Sequence, residues 1–208
     1  MVQDVQAEWT RLSREAGATY EVTTLVLFDD GVETGCGVAS SATGPFYCPA
    51  DARVYVDLSF FDVLRQQFGA PGTGGPGEFA PAYSIAHEFG RHVQNIRGIN
   101  QAVRREQQAD PERTNELSVR VEPQADCLAG VWGHTAFEDG LLESGDVEQG
   151  LGAAAAVGDD RIQQRTQGRV TPHNWTHGSS EQRRPWFSRG FESGDPAVCD
   201  ETFTSNDL

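Results

Sequence analysis

The chain has 208 residues, 38% of them hydrophobic, and a formal net charge of -15 from 31 acidic and 16 basic side chains. This length suits one globular domain with a buried core. The acidic field excludes phosphate backbones and anionic lipid surfaces, so neither nucleic acid nor a membrane surface is an expected partner. No apolar run approaches the roughly 20 residues that span a bilayer, and Met1 does not open a charged-then-apolar leader.

Residues 2–16 read as an amphipathic helix, with Val5, Trp9 and Leu12 at helical spacing. Thr23 to Phe28 reads as a strand stopped by Asp29-Asp30-Gly31, and Gly31 to Ala39 as its hairpin partner. Pro45 to Cys48 and Val54 to Leu58 are two further extended pieces, and Asp57 to Phe68 turns helical. Gly69 to Gly77 is a Gly/Pro-rich loop within one core. From Glu78 onward the pattern is helical. One helix runs from about Phe79 to Arg97 and stops at Gly98. A second starts at Asp110-Pro111, with Asp as cap and Pro in the first turn, and continues to Glu138. A third begins near Asp146. A last one begins near Ser179, which stands at capping-box spacing from Gln182. Sheet first and helices after predicts an α+β fold: one domain over 1–208, with a small N-terminal antiparallel sheet over about 20–58 and a mostly helical part over 59–208.

Four cysteines stand at 36, 48, 127 and 199. An even count suits two disulfides but permits three pairings. The favoured pairing is Cys36–Cys48, closing a short loop between strands, and Cys127–Cys199, tying the C-terminal tail to a helix. The second closes a loop of about 70 residues, for about 4 kcal/mol in the chain-entropy model. Disulfides imply an extracytoplasmic setting, and four buried free thiols are the alternative.

The most informative stretch is Ala86-His87-Glu88-Phe89-Gly90-Arg91-His92. In the zinc-peptidase helix pattern His-Glu-x-x-His, two imidazoles one turn apart hold the metal, and the glutamate works on a bound water. Here His87 and Glu88 are in place, Arg91 stands at the second-ligand position, and His92 falls one residue late. At about 100° per residue, Arg91, Glu88, Ser84, Gln94 and Asn95 share a polar stripe with His87. Ala82, Ile85, Ala86, Phe89, Val93 and Ile96 form the opposite face. The helix is therefore expected to bury that face and present His87, Glu88 and Arg91 together on the other. His92 lies beside Ile85 and cannot share a metal with His87 unless the helix unwinds. Further on, Glu122 and Asp126 are four residues apart on one helix face. In zinc sites a distant glutamate supplies a third ligand, and an aspartate orients a ligating histidine through its second ring nitrogen.

Several segments together resemble the bacterial neutral zinc metallopeptidase family. They are Gly44 to Asp51, Leu58 to Phe61, Ala86-His87-Glu88 with Val93-Gln94-Asn95, Gln124 to Cys127, Gly158 to Arg161, and Thr176 to Ser180. The resemblance implies a zincin-like fold of the gluzincin kind, a zinc cofactor, and hydrolysis of a peptide or protein substrate. It assigns His87 and Glu122 as metal ligands, Glu88 as general base, and Asp126 as the residue behind His87. Full-length members carry an N-terminal membrane anchor, so an extracytoplasmic, periplasmic or cell-surface location with an anchored parent is expected.

Two departures fall on the site. Arg91 stands where the family has its second ligating histidine, and a guanidinium has no lone pair to give. Pro123 follows the expected ligand Glu122, so either the helix bends there or Glu122 is reoriented. Two outcomes stay open. Arg91 takes the metal's place against Glu122, leaving a non-catalytic pseudopeptidase that holds a peptide or protein. Alternatively, Arg91 swings aside and zinc binds weakly through His87, Glu122 and either His177 or a water. His177 is also a candidate to stabilise an oxyanion, or else a loop histidine bonded to a helix terminus. His134 and His173 read as surface residues, Asp159-Asp160 as a solvated helix end, and Trp132, Trp175, Trp186 and Phe187 as core.

Overall fold

The computed structural model describes residues 1–62, 79–143, 145–148, 151–152 and 179–205. The loop expected over 69–77, most of the helix expected near Asp146, and Asp159, Asp160, His173, Trp175 and His177 lie outside the described residues. So does the helix expected to reach Phe68, beyond a helical stretch over 58–62.

The fold is α+β. Helix α1 (Val2–Glu15) leads into strands β1 (Thr24–Phe28), β2 (Gly31–Thr34), β3 (Gly37–Ser40), β4 (Phe46–Cys48) and β5 (Arg53–Asp57). Then come α2 (Phe79–Ile96), α3 (Ile99–Ala109), α4 (Thr114–Glu138) and α5 (Ser180–Ser193), and a 3₁₀ segment over Pro196–Phe203 closes the described chain.

The sheet differs from the expected antiparallel one. It has the order β1-β5-β4, with β1 and β5 parallel and β4 and β5 antiparallel. The residues expected to pair with β1 instead form their own hairpin, β2 against β3. The reversal begins at Asp30, whose positive φ of 63° turns the chain away from β1. The Cys36–Cys48 disulfide then fastens that hairpin to β4. Removing the hairpin leaves a slot beside β1, and β5 fills it. Alternation along β5 divides its side chains. Val54 and Val56 face the helices, whereas Tyr55 stacks on its cross-strand partner Phe46 at 5.0 Å.

Helix α4 is central, buried at every position from Val121 to Gly133. It runs through Pro123 without interruption. The Val121 carbonyl, in the turn loosened by that proline, accepts a hydrogen bond of 2.7 Å from the Gln94 amide. On one side α4 meets α1, where Trp132 Nε1 donates to Asp4 at 2.7 Å. On another it meets α2, where Phe79 stacks on Trp132 at 6.0 Å. On a third it meets α5, whose Trp186 and Phe187 are core residues as expected. The expected start of α5 is also observed: Ser179 and Gln182 form a capping box. Gly98 ends α2 as expected, but the chain resumes at once as α3.

Glycines set how closely these helices approach. A Cβ on Gly90 of α2 would lie 2.9 Å from the Ala125 carbonyl oxygen of α4. A Cβ on Gly190 of α5 would lie 1.9 Å from the Cys127 carbonyl oxygen, so α4 and α5 touch backbone to backbone. The second expected disulfide, Cys127–Cys199, is also formed. It joins α4 to the C-terminal segment on that same side.

Gly190→Ala is expected to push α5 off α4 and cost about 3 kcal/mol or more. Urea denaturation measures this, and a loss under about 0.5 kcal/mol would mean that the two helices are not in backbone contact.

Candidate functional site

Helices α2, α4 and α5 converge on Asp126, which is wholly buried. From α2, His87 Nδ1 stands 2.8 Å from Asp126 Oδ1, and the Tyr83 hydroxyl donates to the same oxygen. From α5, Arg183 grips the carboxylate with two bonds, Nε to Oδ2 at 2.6 Å and Nη2 to Oδ1 at 2.8 Å. This is the fork geometry in which a guanidinium holds a carboxylate best. With Nδ1 donating to Asp126, His87 points Nε2 at Glu122, whose Oε2 lies 3.4 Å away. The other oxygen of Glu122, Oε1, lies 3.4 Å from Arg91 Nη1. Arg91 Nη1 also donates to Gln94 Oε1 at 3.2 Å.

The structure therefore brings together His87, Arg91, Glu122 and Asp126, four of the residues singled out in the sequence. Glu88 lies beside them, partly buried, and makes no hydrogen bond or ion pair among the described residues. His177 falls outside the described residues. His92 is kept apart, as expected. Its Nε2 faces the Glu21 carbonyl at 2.6 Å and its Nδ1 the Tyr47 hydroxyl at 3.0 Å, on the sheet side of α2.

Two expectations need correction. The polar stripe of α2 is not an open face: His87 and Gln94 are buried against α4 because Gly90 lets the helices close. His134 is half-buried rather than a surface residue, with Nδ1 2.7 Å from the Phe191 carbonyl oxygen and its ring against the Phe191 side chain.

Arg183 and Tyr83 escaped the sequence reading. Both left a trace. Tyr83 precedes His87 by one helical turn. Arg183 occupies a core position, in line with Phe187 and Gly190 on the buried stripe of α5. An arginine in such a stripe needs a buried anion.

The charges follow from this geometry. Burial opposes a charged imidazole at His87, but the Asp126 carboxylate and the bond to Glu122 outweigh it and raise its pKa to about 9. Burial also opposes the charged forms of Glu122 and Asp126. For Glu122 the Arg91 and His87 charges prevail and hold its carboxyl well below the usual carboxylate range, and for Asp126 the Arg183 and His87 charges prevail and lower its pKa. Glu88 goes the other way, because burial pushes its carboxyl up and the cations nearby only partly offset it. The centre thus holds two carboxylates, an imidazolium and two guanidiniums.

A family model described as "Putative neutral zinc metallopeptidase" matches residues 1–203. The chain belongs to this family. It is 53% identical over 192 residues to the "Uncharacterized protein YpfJ" of Escherichia coli (strain K12), an alignment covering 92% of this chain and 65% of that protein. It is 50% identical over 192 residues to the "Uncharacterized protein Rv2575" of Mycobacterium tuberculosis (strain ATCC 25618 / H37Rv), covering 88% of this chain and 62% of that protein. The chain thus spans less than two thirds of the length of either relative. No solved structure matches it significantly.

The family's name suggests zinc, and the donors can be tested against it. His87 Nε2 and Glu122 Oε2 are spaced as two ligands of one ion would be, since ligands about 2.1 Å from a tetrahedral zinc lie about 3.4 Å apart. A third donor is missing. Arg91 offers none, Asp126 is committed to Arg183, and among the described residues no group of three His, Cys, Asp or Glu side chains could hold a metal ion. A ligating histidine must also be neutral, whereas His87 sits between two carboxylates that favour its proton. The described residues do not fit a zinc ion. As to setting, two disulfides point to an oxidising, extracytoplasmic compartment, and among the described residues no helix is long and apolar enough to cross a membrane.

Because the His87 pKa is raised, its contribution to stability is complete below the unfolded value of about 6.5 and is lost as pH rises through about 9. In urea denaturation the native chain should lose on the order of 2–3 kcal/mol between about pH 6 and pH 10 relative to His87→Gln. Parallel pH profiles for the two would refute the charged imidazole. Arg183→Gln should cost about 3–5 kcal/mol at neutral pH by stranding Asp126, and a loss under about 1 kcal/mol would show that Asp126 is not its charge partner.

Proposed function

We propose that this chain is a zincin-like domain in which protonated side chains have replaced the metal, and that it acts outside the cytoplasm as a non-catalytic module holding a peptide or protein. One observation carries the reading: the Arg91 guanidinium lies 3.4 Å from Glu122 Oε1 while His87 Nε2 lies 3.4 Å from Oε2. Glu122 thereby meets two positive charges at close range, with a third, Arg183 Nη2, 3.9 Å from Oε2 and shared with Asp126, so its charge is met without a metal.

The electrostatics support the replacement. A buried carboxylate needs a cation, and removing a metal without compensation would leave Glu122 stranded. Arg91 is always protonated and is anchored by Gln94 as well as Glu122, so its place is fixed on both sides. Its charge also repels an incoming dication. Under this reading Glu88 keeps the position of a general base but has no activated water to work on.

One observation favours a second reading, metal-dependent peptide hydrolysis with Glu88 as general base. The His87–Glu122 spacing retains the separation of two zinc ligands. That reading needs Arg91 to leave and another donor to arrive.

Metal analysis of the purified chain and of Arg91→His, with cleavage of casein as the activity readout, separates the two. The native chain should hold well under one zinc and leave casein intact, while Arg91→His should gain about one zinc per chain. One tightly held zinc on the native chain, or equal cleavage by both, would sink the proposal.

A further inference from the structure

A cavity of about 330 Å³ opens beside the rewritten site, between α2, α3, α4 and the end of β4. Its size is that of a small-ligand pocket. Arg91 and Glu122 stand in its wall, so it is continuous with the ion-pair centre. A second guanidinium, Arg104 from α3, stands in the same wall.

The wall is cationic in a chain of net charge -15. Glu122 does not reverse this, because both its oxygens already face His87 and Arg91. Arg91 commits only Nη1 to Glu122 and Gln94. Its Nε and Nη2 make no hydrogen bond among the described residues, and its side chain is 28% exposed. Arg104 is exposed and makes no hydrogen bond or ion pair among the described residues. Two guanidiniums with spare donors suit one carboxylate.

The rest of the wall is suited to the end of a peptide. Val103 and Val121 give an apolar surface for a small side chain. Ser118 Oγ accepts from Gln107 Nε2 at 3.1 Å, which leaves its own proton for a peptide carbonyl. Asn100 supplies an amide with no partner among the described residues, able to serve either peptide group.

We infer that this cavity binds the C-terminal residue of a peptide, with the terminal carboxylate held by Arg91 and Arg104 and a small apolar side chain against Val103 and Val121. The inference rests on the pseudopeptidase reading and names the ligand class. The cation that displaces the metal is also the anchor for an anionic chain end.

Isothermal titration calorimetry of the native chain with acetyl-Ala-Ala-Val tests this, alongside the same peptide as its C-terminal amide and acetate as a bare carboxylate. The free acid should bind about tenfold or more tightly than either, since a charge-assisted bond is lost in the amide and the apolar contact in acetate. Arg104→Gln, an exposed change that leaves the ion-pair centre whole, should abolish most of the preference for acid over amide. Arg91→Gln should do the same if it folds. Equal binding of acid and amide, no binding of the acid at millimolar concentration, acetate as good as the peptide, or a preference untouched by Arg104→Gln would each overturn the inference. Zinc content is measured on the same sample. One zinc per chain overturns the underlying reading and this inference with it, whereas a zinc-free chain that ignores the carboxylate overturns this inference alone.

Discussion

Asp126 is the point on which three helices are registered. A wholly buried carboxylate is tolerable only when its charge is met and its lone pairs are filled. Here Tyr83 and His87 arrive from α2 and Arg183 from α5, and all of them reach one side chain on α4. Moving any of the three helices would strand a charge inside the protein. Small residues on the contact faces let the helices approach this closely, Gly90 against the Ala125 backbone and Gly190 against that of Cys127.

The second carboxylate, Glu122, lies one turn away and depends on this arrangement. Asp126 fixes the imidazole tautomer so that Nε2 faces Glu122, the work an aspartate does behind a ligating histidine. The framework of a metal site is therefore kept while the charge is supplied differently. The nearest cations are His87 and Arg91, with Arg183 at 3.9 Å, and all are fixed to protein. Behind them a relay of amides runs outward. Gln94 donates to Gln124 at 2.9 Å, and Gln124 donates to Asp200 at 3.0 Å. Asp200 follows the disulfide-bonded Cys199, so the C-terminal segment is tied both to α4 and to this relay.

Much of this was legible because it is local. The bounds of α1, the continuous run of α4 to Glu138, and the Ser179–Gln182 capping box follow from spacing and caps that read the same in any context. The strands themselves were legible for the same reason. Their partners were not: β1 pairs with a strand 29 residues on, as Thr24 with Arg53, because the intervening hairpin satisfies its own backbone bonds. The burial of the α2 polar stripe was equally hidden. The helical wheel gives relative angles, but whether that stripe meets water or another helix depends on Gly90 facing Ala125.

The sequence by itself determined which side chains share a turn. His87 with Arg91 and Glu122 with Asp126 are consequences of helix pitch, and an arginine at position 91 brings a permanent charge whatever surrounds it. Only the tertiary structure decided what that charge does. It brings α2 and α4 close enough for Arg91 to meet Glu122 and His87 to bridge two carboxylates, and it adds Arg183 from a helix that begins more than ninety residues after His87. The physical reason is distance. Electrostatic partnership between buried groups requires separations of a few ångströms across elements remote in sequence, and such separations are set by packing rather than by pattern.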